Sequence, residues 1–165
     1  MHKLYLTQQQ WAFKERFSVR DDHNTPVYQV ISSKFQMPKF FEILDVNNQV
    51  VATVTKKPLS LVATYCLQIG GKTVATIQKR PTFLRPSYDL TAVGLTVTGS
   101  LWDLNFEIKR QDQVVGRVRR AGLSLKNKYE IVVLDDDSQL ILVGLVLAVD
   151  YGRHMAAAAA VSTTF

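Results

Sequence analysis

Apolar and polar residues alternate with a period of two along most of the chain. In residues 50–57, Ala52 and Val54 fall on one side of an extended strand, and Val51 and Thr53 fall on the other. β-branched and aromatic residues, which pack well on a pleated sheet, dominate these runs. Short polar turn sequences separate them. The pattern predicts twelve strands, at about 3–7, 13–20, 26–33, 39–45, 49–57, 63–70, 72–80, 85–92, 94–101, 103–110, 113–120 and 127–134.

The strands belong to a repeated unit. VVATVTKKPLSLVATY (50–65) is followed by TVATIQKRPTFLRPSY (73–88), VVGRVRRAGLSLKNKYEI (114–131) is a third copy, and VYQVISSKFQMPKFFEI (27–43) is a worn fourth. Each copy reads as a strand, a connection and a second strand, so the repeat predicts a meander of β-hairpins. Residues 93–113 form an inserted hairpin before the third copy.

Two columns of the repeat carry most of the structural information. A small column holds Ala52, Ala75 and Gly116, with Tyr28 in the worn copy; thirteen residues later an aromatic column holds Phe41, Tyr65, Tyr88 and Tyr129.

The alternation stops after residue 134. Asp135, Asp136, Asp137 and Ser138 are typical of a helix N-terminus. Leu140 to Val149 then contains no polar side chain, so this helix must be buried on every side. A membrane span needs ~20 apolar residues, whereas Asp150, Arg153 and His154 interrupt this run. The interior of the protein is therefore favoured over a bilayer.

A wide barrel supplies that interior. A closed sheet of eight strands fills itself with side chains, and a wider one needs a plug. A helix, ~10 Å across, has the right size. We therefore predict a single domain, mainly β: a closed twelve-stranded antiparallel barrel (3–134) around a central helix (138–154), with a tail at 155–165. The small column is expected to face the helix.

Charge is unevenly distributed. The 165 residues carry a net charge of +6, and residues 46–88 contain six basic and no acidic side chains. Such a segment attracts polyanions: nucleic acid, phosphorylated ligands or an anionic membrane. A basic domain with no polyanionic partner is the alternative. No signal peptide is recognisable and Cys66 is the only cysteine, so we expect a cytoplasmic protein, with attachment at the inner membrane surface as an extension.

No catalytic set is recognisable. His2, His23 and His154 lack metal-ligand spacing, the three consecutive aspartates are read as a helix cap, and Cys66 alternates within a strand as a packing residue. We therefore expect a protein that is not an enzyme, with no cofactor and no metal site.

One constellation points to binding. Lys56, Lys79 and Arg120 occupy the same repeat position, four residues after the small column. If the copies stand alike in the barrel, these charges gather at one rim, where they could hold phosphate groups. Solvated strand-end charges are the alternative. The candidate ligand-binding residues are Lys56, Lys57, Lys79, Arg80, Arg117, Arg119 and Arg120.

The paired repeats, the third copy and the terminal LILVGLVLAVD resemble the LURP-one-related family of the tubby-like superfamily, over about 4–152. The resemblance implies a twelve-stranded barrel around a central hydrophobic helix. In that superfamily tubby domains bind phosphoinositides through basic strand residues, and phospholipid scramblases are associated with lipid movement and calcium. Ala63 stands where the family often has proline, and 154–165 has no counterpart. No lipid-contacting motif aligns residue by residue.

The leading hypothesis is a non-catalytic barrel that binds anionic phospholipid head groups, or another phosphorylated ligand, through its basic rim. The alternative is a protein-interaction scaffold without lipid binding, and a scramblase-like lipid-moving protein is the third. Nucleic acid is not favoured, because interleaved basic and aromatic residues on a reading surface are absent from the pattern. The oligomeric state and the role of the alanine-rich tail stay open.

Overall fold

The computed structural model describes residues 1–10, 14–33, 38–81, 86–92, 94–122 and 128–162. These residues form twelve strands followed by a short 3-10 turn and one α-helix, α1, which confirms the expected order of elements. The strands are β1 (His2–Gln10), β2 (Lys14–Asp21), β3 (Pro26–Ser33), β4 (Phe40–Leu44), β5 (Val50–Lys56), β6 (Thr64–Ile69), β7 (Lys72–Arg80), β8 (Ser87–Ala92), β9 (Leu95–Ser100), β10 (Asn105–Arg110), β11 (Gln113–Arg120) and β12 (Lys128–Val133), and α1 is Gln139–Ser162.

All twelve strands belong to one antiparallel sheet. Its order is β8-β7-β6-β5-β4-β3-β2-β1-β12-β11-β10-β9, so β1 also pairs with β12. The two edge strands, β8 and β9, lie side by side, and the sheet is a nearly closed barrel. The expected barrel is confirmed. Because consecutive strands alternate in direction, all odd-numbered strands finish at the same end. We call that end the mouth and the opposite end the turn end.

The four repeats share a β-bulge just before the small column. Val19 pairs with Tyr28, but the next residue, Arg20, pairs with Pro26, so one residue of β3 is left over. The same shift in register occurs just before Ala52, Ala75 and Gly116. A bulge adds one residue to one strand, bends it and increases its twist. The repeated bulge therefore helps this wide sheet to curl. The extra residue is a valine in every copy: Val27, Val51, Val74 and Val115.

One of these bulges also holds the start of the helix. The carbonyl oxygen of Val115 accepts hydrogen bonds from the backbone nitrogens of Leu134 (3.0 Å) and Asp135 (3.1 Å). The Ser138 hydroxyl donates to the same oxygen at 3.0 Å. Asp135 caps the short turn Asp136–Ser138 by accepting from the Asp137 nitrogen, as the aspartate run predicts. The chain is therefore fixed to β11 where it enters the barrel.

Helix α1 occupies the barrel interior. Ten consecutive residues, Ile141 to Asp150, are buried. The segment from Asp136 to Ser162 is long and apolar enough to cross a membrane, yet 61% of its apolar window is buried inside the protein. The helix ends at Ser162 rather than at the expected 154, because the run of alanines has the highest helix propensity and no breaker.

The small column faces the helix, as expected. Ala52 and Ala75 are buried, and a Cβ atom on Gly116 would collide with Leu142 of the helix. The reverse arrangement is also present, with the glycine on the helix and the leucine on the wall: a Cβ atom on Gly144 would lie 2.7 Å from Cδ1 of Leu67 on β6. Leucine on one element therefore packs against glycine on the other, and the axis of the helix is set close to the wall.

Candidate functional site

The three repeat-equivalent cations lie at the mouth. Lys56, Lys79 and Arg120 sit at the ends of β5, β7 and β11. They continue the inward-facing side of these strands, because Val54, Ile77 and Val118 two residues earlier are buried in the core. Backbone hydrogen bonds fix two of the positions: the Lys56 nitrogen donates to the Lys39 oxygen and the Lys79 nitrogen to the Ala63 oxygen, both at 2.8 Å.

Each of these cations is paired across the ladder with a tyrosine. Lys56 stands opposite Tyr65, Lys79 opposite Tyr88 and Arg120 opposite Tyr129. The repeat therefore places the same cation–tyrosine pair at three points of the mouth. All three tyrosines are buried and pack in the core.

The aromatic column surrounds the helix where it leaves the barrel. We call Phe41, Tyr65, Tyr88 and Tyr129 the aromatic collar. Tyr151 of the helix makes edge contacts with Phe41 (5.7 Å between ring centroids) and Tyr65 (6.1 Å). The Tyr129 hydroxyl donates to the buried carboxylate of Asp150. Gly152 leaves room for the Tyr88 hydroxyl, which a Cβ atom would displace. The collar therefore closes the core beneath the mouth.

Burial keeps the collar phenols neutral. Desolvation raises the pKa of Tyr65, Tyr88 and Tyr129 above that of an exposed tyrosine. At Tyr129 the Asp150 carboxylate raises the pKa further, while the charges of Arg120 and Arg153 lower it. Both guanidinium groups therefore stand within electrostatic range of the collar, on the side that opens to solvent.

Two further cations at the mouth were missed by the sequence analysis. Lys39 is 4% exposed, and its Nζ lies 5.1 Å from the Phe41 ring centroid and 5.3 Å from that of Tyr151. Arg153 stacks over Trp102 at 5.9 Å. In the described part of the chain its Nη1 atom is buried without a hydrogen-bond partner. Neither residue belongs to the repeated cation column, so no pattern singled it out.

The seven candidate binding residues fall into two groups. Lys56, Lys57, Lys79 and Arg120, which we call the mouth cations, form no ion pair with any described residue. The other three are paired with carboxylates on the outer wall: Arg80 with Asp89, Arg117 with Glu107 (2.6 Å) and Arg119 with Glu130 (2.7 Å). Arg80 still lies at the mouth, whereas Arg117 and Arg119 stand further back along β11.

The two ends of the barrel differ in charge. At the mouth, exposed Asp103 accepts a hydrogen bond from Ser100 Oγ at 2.8 Å, and Asp89 is paired with Arg80. The turn end is acidic. Among the described residues, seven aspartates lie there: Asp21, Asp22, Asp45, Asp112, Asp135, Asp136 and Asp137.

Three candidate metal ligands meet at the turn end. Ligand atoms of Asp21, Asp22 and His23 lie within 4.8 Å of one another. The spacing of the histidines in the sequence did not indicate this group. Asp21 Oδ1 already accepts from the backbone nitrogens of His23 (3.0 Å) and Thr25 (2.7 Å), so it serves to cap the turn. The cluster is exposed and we assign it no metal.

Two hollows of about 510 and 520 Å³ lie on the outer wall. The first is near the turn end, between Arg20, Tyr28 and Asp45. The second contains the Arg117–Glu107 and Arg119–Glu130 pairs. Both lie away from the mouth cations.

Comparison with known proteins agrees with this architecture. The family model described as LURP-one-related matches residues 2–150. The chain belongs to the LURP-one-related family. The match covers the barrel and the buried part of α1, and it ends before the helix leaves the mouth.

One sequence relative and one solved structure extend the comparison. The chain is 24% identical over 150 residues to the uncharacterized protein YxjI of Bacillus subtilis, covering 91% of this chain and 93% of that one. It is also similar to the X-ray structure of an Arabidopsis thaliana protein, with a TM-score of 0.58, 15% identity and 92% of each chain covered. The fold of this barrel is thus shared with a plant protein of low sequence identity.

Proposed function

We propose that this protein binds the phosphate groups of anionic phospholipids, or of another phosphorylated ligand, at its mouth. The observation that carries the proposal is the recurrence of an unpaired cation at three equivalent, inward-facing positions: Lys56, Lys79 and Arg120. Three other cations of the candidate set have carboxylate partners: Arg80, Arg117 and Arg119. Cations left without one are available to an external anion.

The chemistry of the mouth fits phosphate. Lysine ammonium groups act as point charges and arginine as a two-pronged donor, and both bind phosphate oxygens. Arg153 adds a guanidinium whose Nη1 has no hydrogen-bond partner in the described structure. The collar beneath the mouth is buried, and desolvation keeps its three phenols neutral. The proposal is therefore of a binding module at the inner surface of a membrane, and not of an enzyme.

Vesicle flotation tests the proposal. Purified protein is mixed with neutral vesicles or with vesicles containing phosphatidylglycerol, at about 50 mM and about 300 mM salt. The electrostatic screening length is markedly shorter at the higher salt concentration. We expect binding that requires the anionic lipid and weakens with salt. The double variant Lys56→Glu, Lys79→Glu should bind at least about tenfold less, because each cation near an anionic surface contributes about 1 kcal/mol.

The matched control is Lys72→Glu, Lys109→Glu. It changes the net charge equally but alters lysines near the turn end. Equal loss in both variants would mean that only net charge matters and would overturn a site at the mouth. Inorganic phosphate, compared with chloride at equal ionic strength, distinguishes the two ligand sources. Binding of phosphate without any binding of vesicles would assign the mouth to a free phosphorylated ligand.

A further inference from the structure

Two leucines at the mouth are completely exposed. Leu59 and Leu61 lie in the connection from β5 to β6, directly after Lys56 and Lys57. Their exposures are 103% and 104%, so they pack against no residue that the structure describes. Exposed leucines scattered singly need no explanation. Two fully solvated leucines beside two unpaired lysines are a more specific arrangement.

The helix adds a second apolar element at the same end. Beyond the collar, α1 continues for the eight residues Met155 to Ser162, a rise of ~12 Å. This segment contains methionine, alanines and valine and ends in serine. Met155 is 45% and Val161 62% exposed. A surface helix normally has one apolar face toward the protein and one polar face toward water, whereas this one is apolar on all faces and projects.

Among the described residues, the turn end offers no equivalent basic surface. Met1, Val46 and Val50 are exposed there, but they share that end with the seven aspartates. An anionic bilayer would repel that end and attract the mouth. Among the described residues, fully exposed leucines lie directly beside unpaired lysines at the mouth, whereas the exposed apolar residues and the unpaired Lys72 and Lys109 of the other end share it with seven aspartates.

We propose that the mouth docks on an anionic bilayer and inserts Leu59, Leu61 and the projecting end of α1 below the level of the head groups. This inference rests on the proposed function and names its ligand source as lipid. The charge pattern favours a bilayer. In addition, leucines that protrude with their whole surface free need an occupant that surrounds them, and acyl chains do so without preformed pockets. The lysines behind them would stay at head-group level.

A depth measurement tests insertion. An environment-sensitive fluorophore is attached to Leu61→Cys in a Cys66→Ser background, and to Val46→Cys in the same background as the matched position at the turn end. With phosphatidylglycerol vesicles, the label at position 61 should shift to the blue and be quenched by nitroxides on the lipid chains. The label at position 46 should do neither.

A neutral pair of substitutions separates insertion from charge. Leu59 has a left-handed backbone (φ +59°) that asparagine adopts readily. The double variant Leu59→Asn, Leu61→Asn therefore keeps the backbone and the net charge. At about 300 mM salt, where the electrostatic part is screened, we expect its vesicle affinity to fall at least about tenfold, because two leucine side chains no longer leave water. Thermal unfolding should match that of the unmodified protein.

The outcomes separate the two proposals. Vesicle binding that depends on Lys56 and Lys79 but leaves the label unquenched and the asparagine variant unaffected would overturn insertion alone. Insertion into neutral vesicles by the charge-reversed protein would overturn the phosphate site and support insertion. Absence of vesicle binding under all conditions overturns both. If the protein is a dimer in solution and the asparagine variant is a monomer, the leucines are covered by a second copy and insertion is overturned.

Discussion

Glycine residues mark where the central helix touches the wall. Gly116 admits Leu142, Gly144 admits Leu67, and Gly152 admits the hydroxyl group of Tyr88. None of the three has the positive φ that would require glycine for backbone reasons. Their role is therefore one of clearance, and any side chain at these positions must displace a neighbour in a packed core.

The clearance at Gly152 can be tested by adding one methyl group. We expect Gly152→Ala to lower the free energy of unfolding by about 1–3 kcal/mol, because the new Cβ atom overpacks the space of the Tyr88 hydroxyl. Gly122→Ala is the control, since nothing lies within 4 Å of a Cβ atom there; its effect should stay within about 0.5 kcal/mol. Urea unfolding measures both. Equal effects would refute the packing described for Gly152.

The collar tyrosines predict the response to alkaline pH. Burial raises the pKa of Tyr65, Tyr88 and Tyr129 in the folded state. Their contribution to stability is complete below the unfolded pKa of about 10 and is lost as the pH rises toward the folded values, because only the unfolded chain releases these protons. Melting temperature should therefore fall steeply above about pH 10. Tyr65→Phe should make the fall in melting temperature with pH less steep. An unchanged slope would contradict the contribution assigned to Tyr65.

At the scale of elements, α1 has two functionally distinct halves. The buried half fills the barrel, and the projecting half begins near His154 and makes little contact with the wall. The helix start and its all-round apolar surface follow from the sequence. Its end does not: Asp150, Arg153 and His154 look like a boundary, yet Asp150 is satisfied by Tyr129 at the collar and the alanines continue the helix.

Truncation separates the two halves. A chain ending at His154 should keep the circular dichroism spectrum of the barrel and lose less than about 1 kcal/mol of stability, since the removed residues are mostly exposed. Leu145→Ala, at a fully buried position, should cost about 2–5 kcal/mol. If truncation were as damaging as Leu145→Ala, the projecting half would have a structural role in the core.

Much of the barrel could be predicted from period-two alternation and the repeat, because both are local features of sequence. The bulges could not, since valine at the extra position is also an ordinary strand residue. The pairing of Arg117 with Glu107 and of Arg119 with Glu130 depends on cross-strand register, which the repeat does not specify. For the same reason the sequence could not divide the seven candidate residues into paired and unpaired groups, and it did not single out Lys39 and Arg153.

At the scale of the whole molecule, the barrel has a basic end and an acidic end. Strands of eight or nine residues, tilted as barrels require, separate the two by about 20 Å. That is about twice the screening length at 0.1 M salt. Each end therefore interacts with a charged surface almost independently of the other. The position of each charge matters more than the net charge of the molecule.

Two nearly isosteric substitutions test this separation. Asp103→Asn at the mouth and Asp112→Asn at the turn end each remove one negative charge. Affinity for phosphatidylglycerol vesicles at about 0.1 M salt should rise about threefold to fivefold in the first and stay unchanged in the second. Vesicle co-sedimentation measures both. An equal rise would show that the vesicle responds to the net charge of the molecule and not to one end.

The interlocking of leucine and glycine between α1 and the wall also has a mechanical meaning. The helix is one continuous rod, fixed at one end by the bulge carbonyl of Val115 and free at the other. Leu142 projects from the rod into the wall at Gly116, and Leu67 projects from the wall into the rod at Gly144. A pull along the axis, in either direction, meets a side chain seated in a recess. A force applied to the projecting end would therefore be resisted by the interlocking side chains of the core, and no single hydrogen bond would carry most of it.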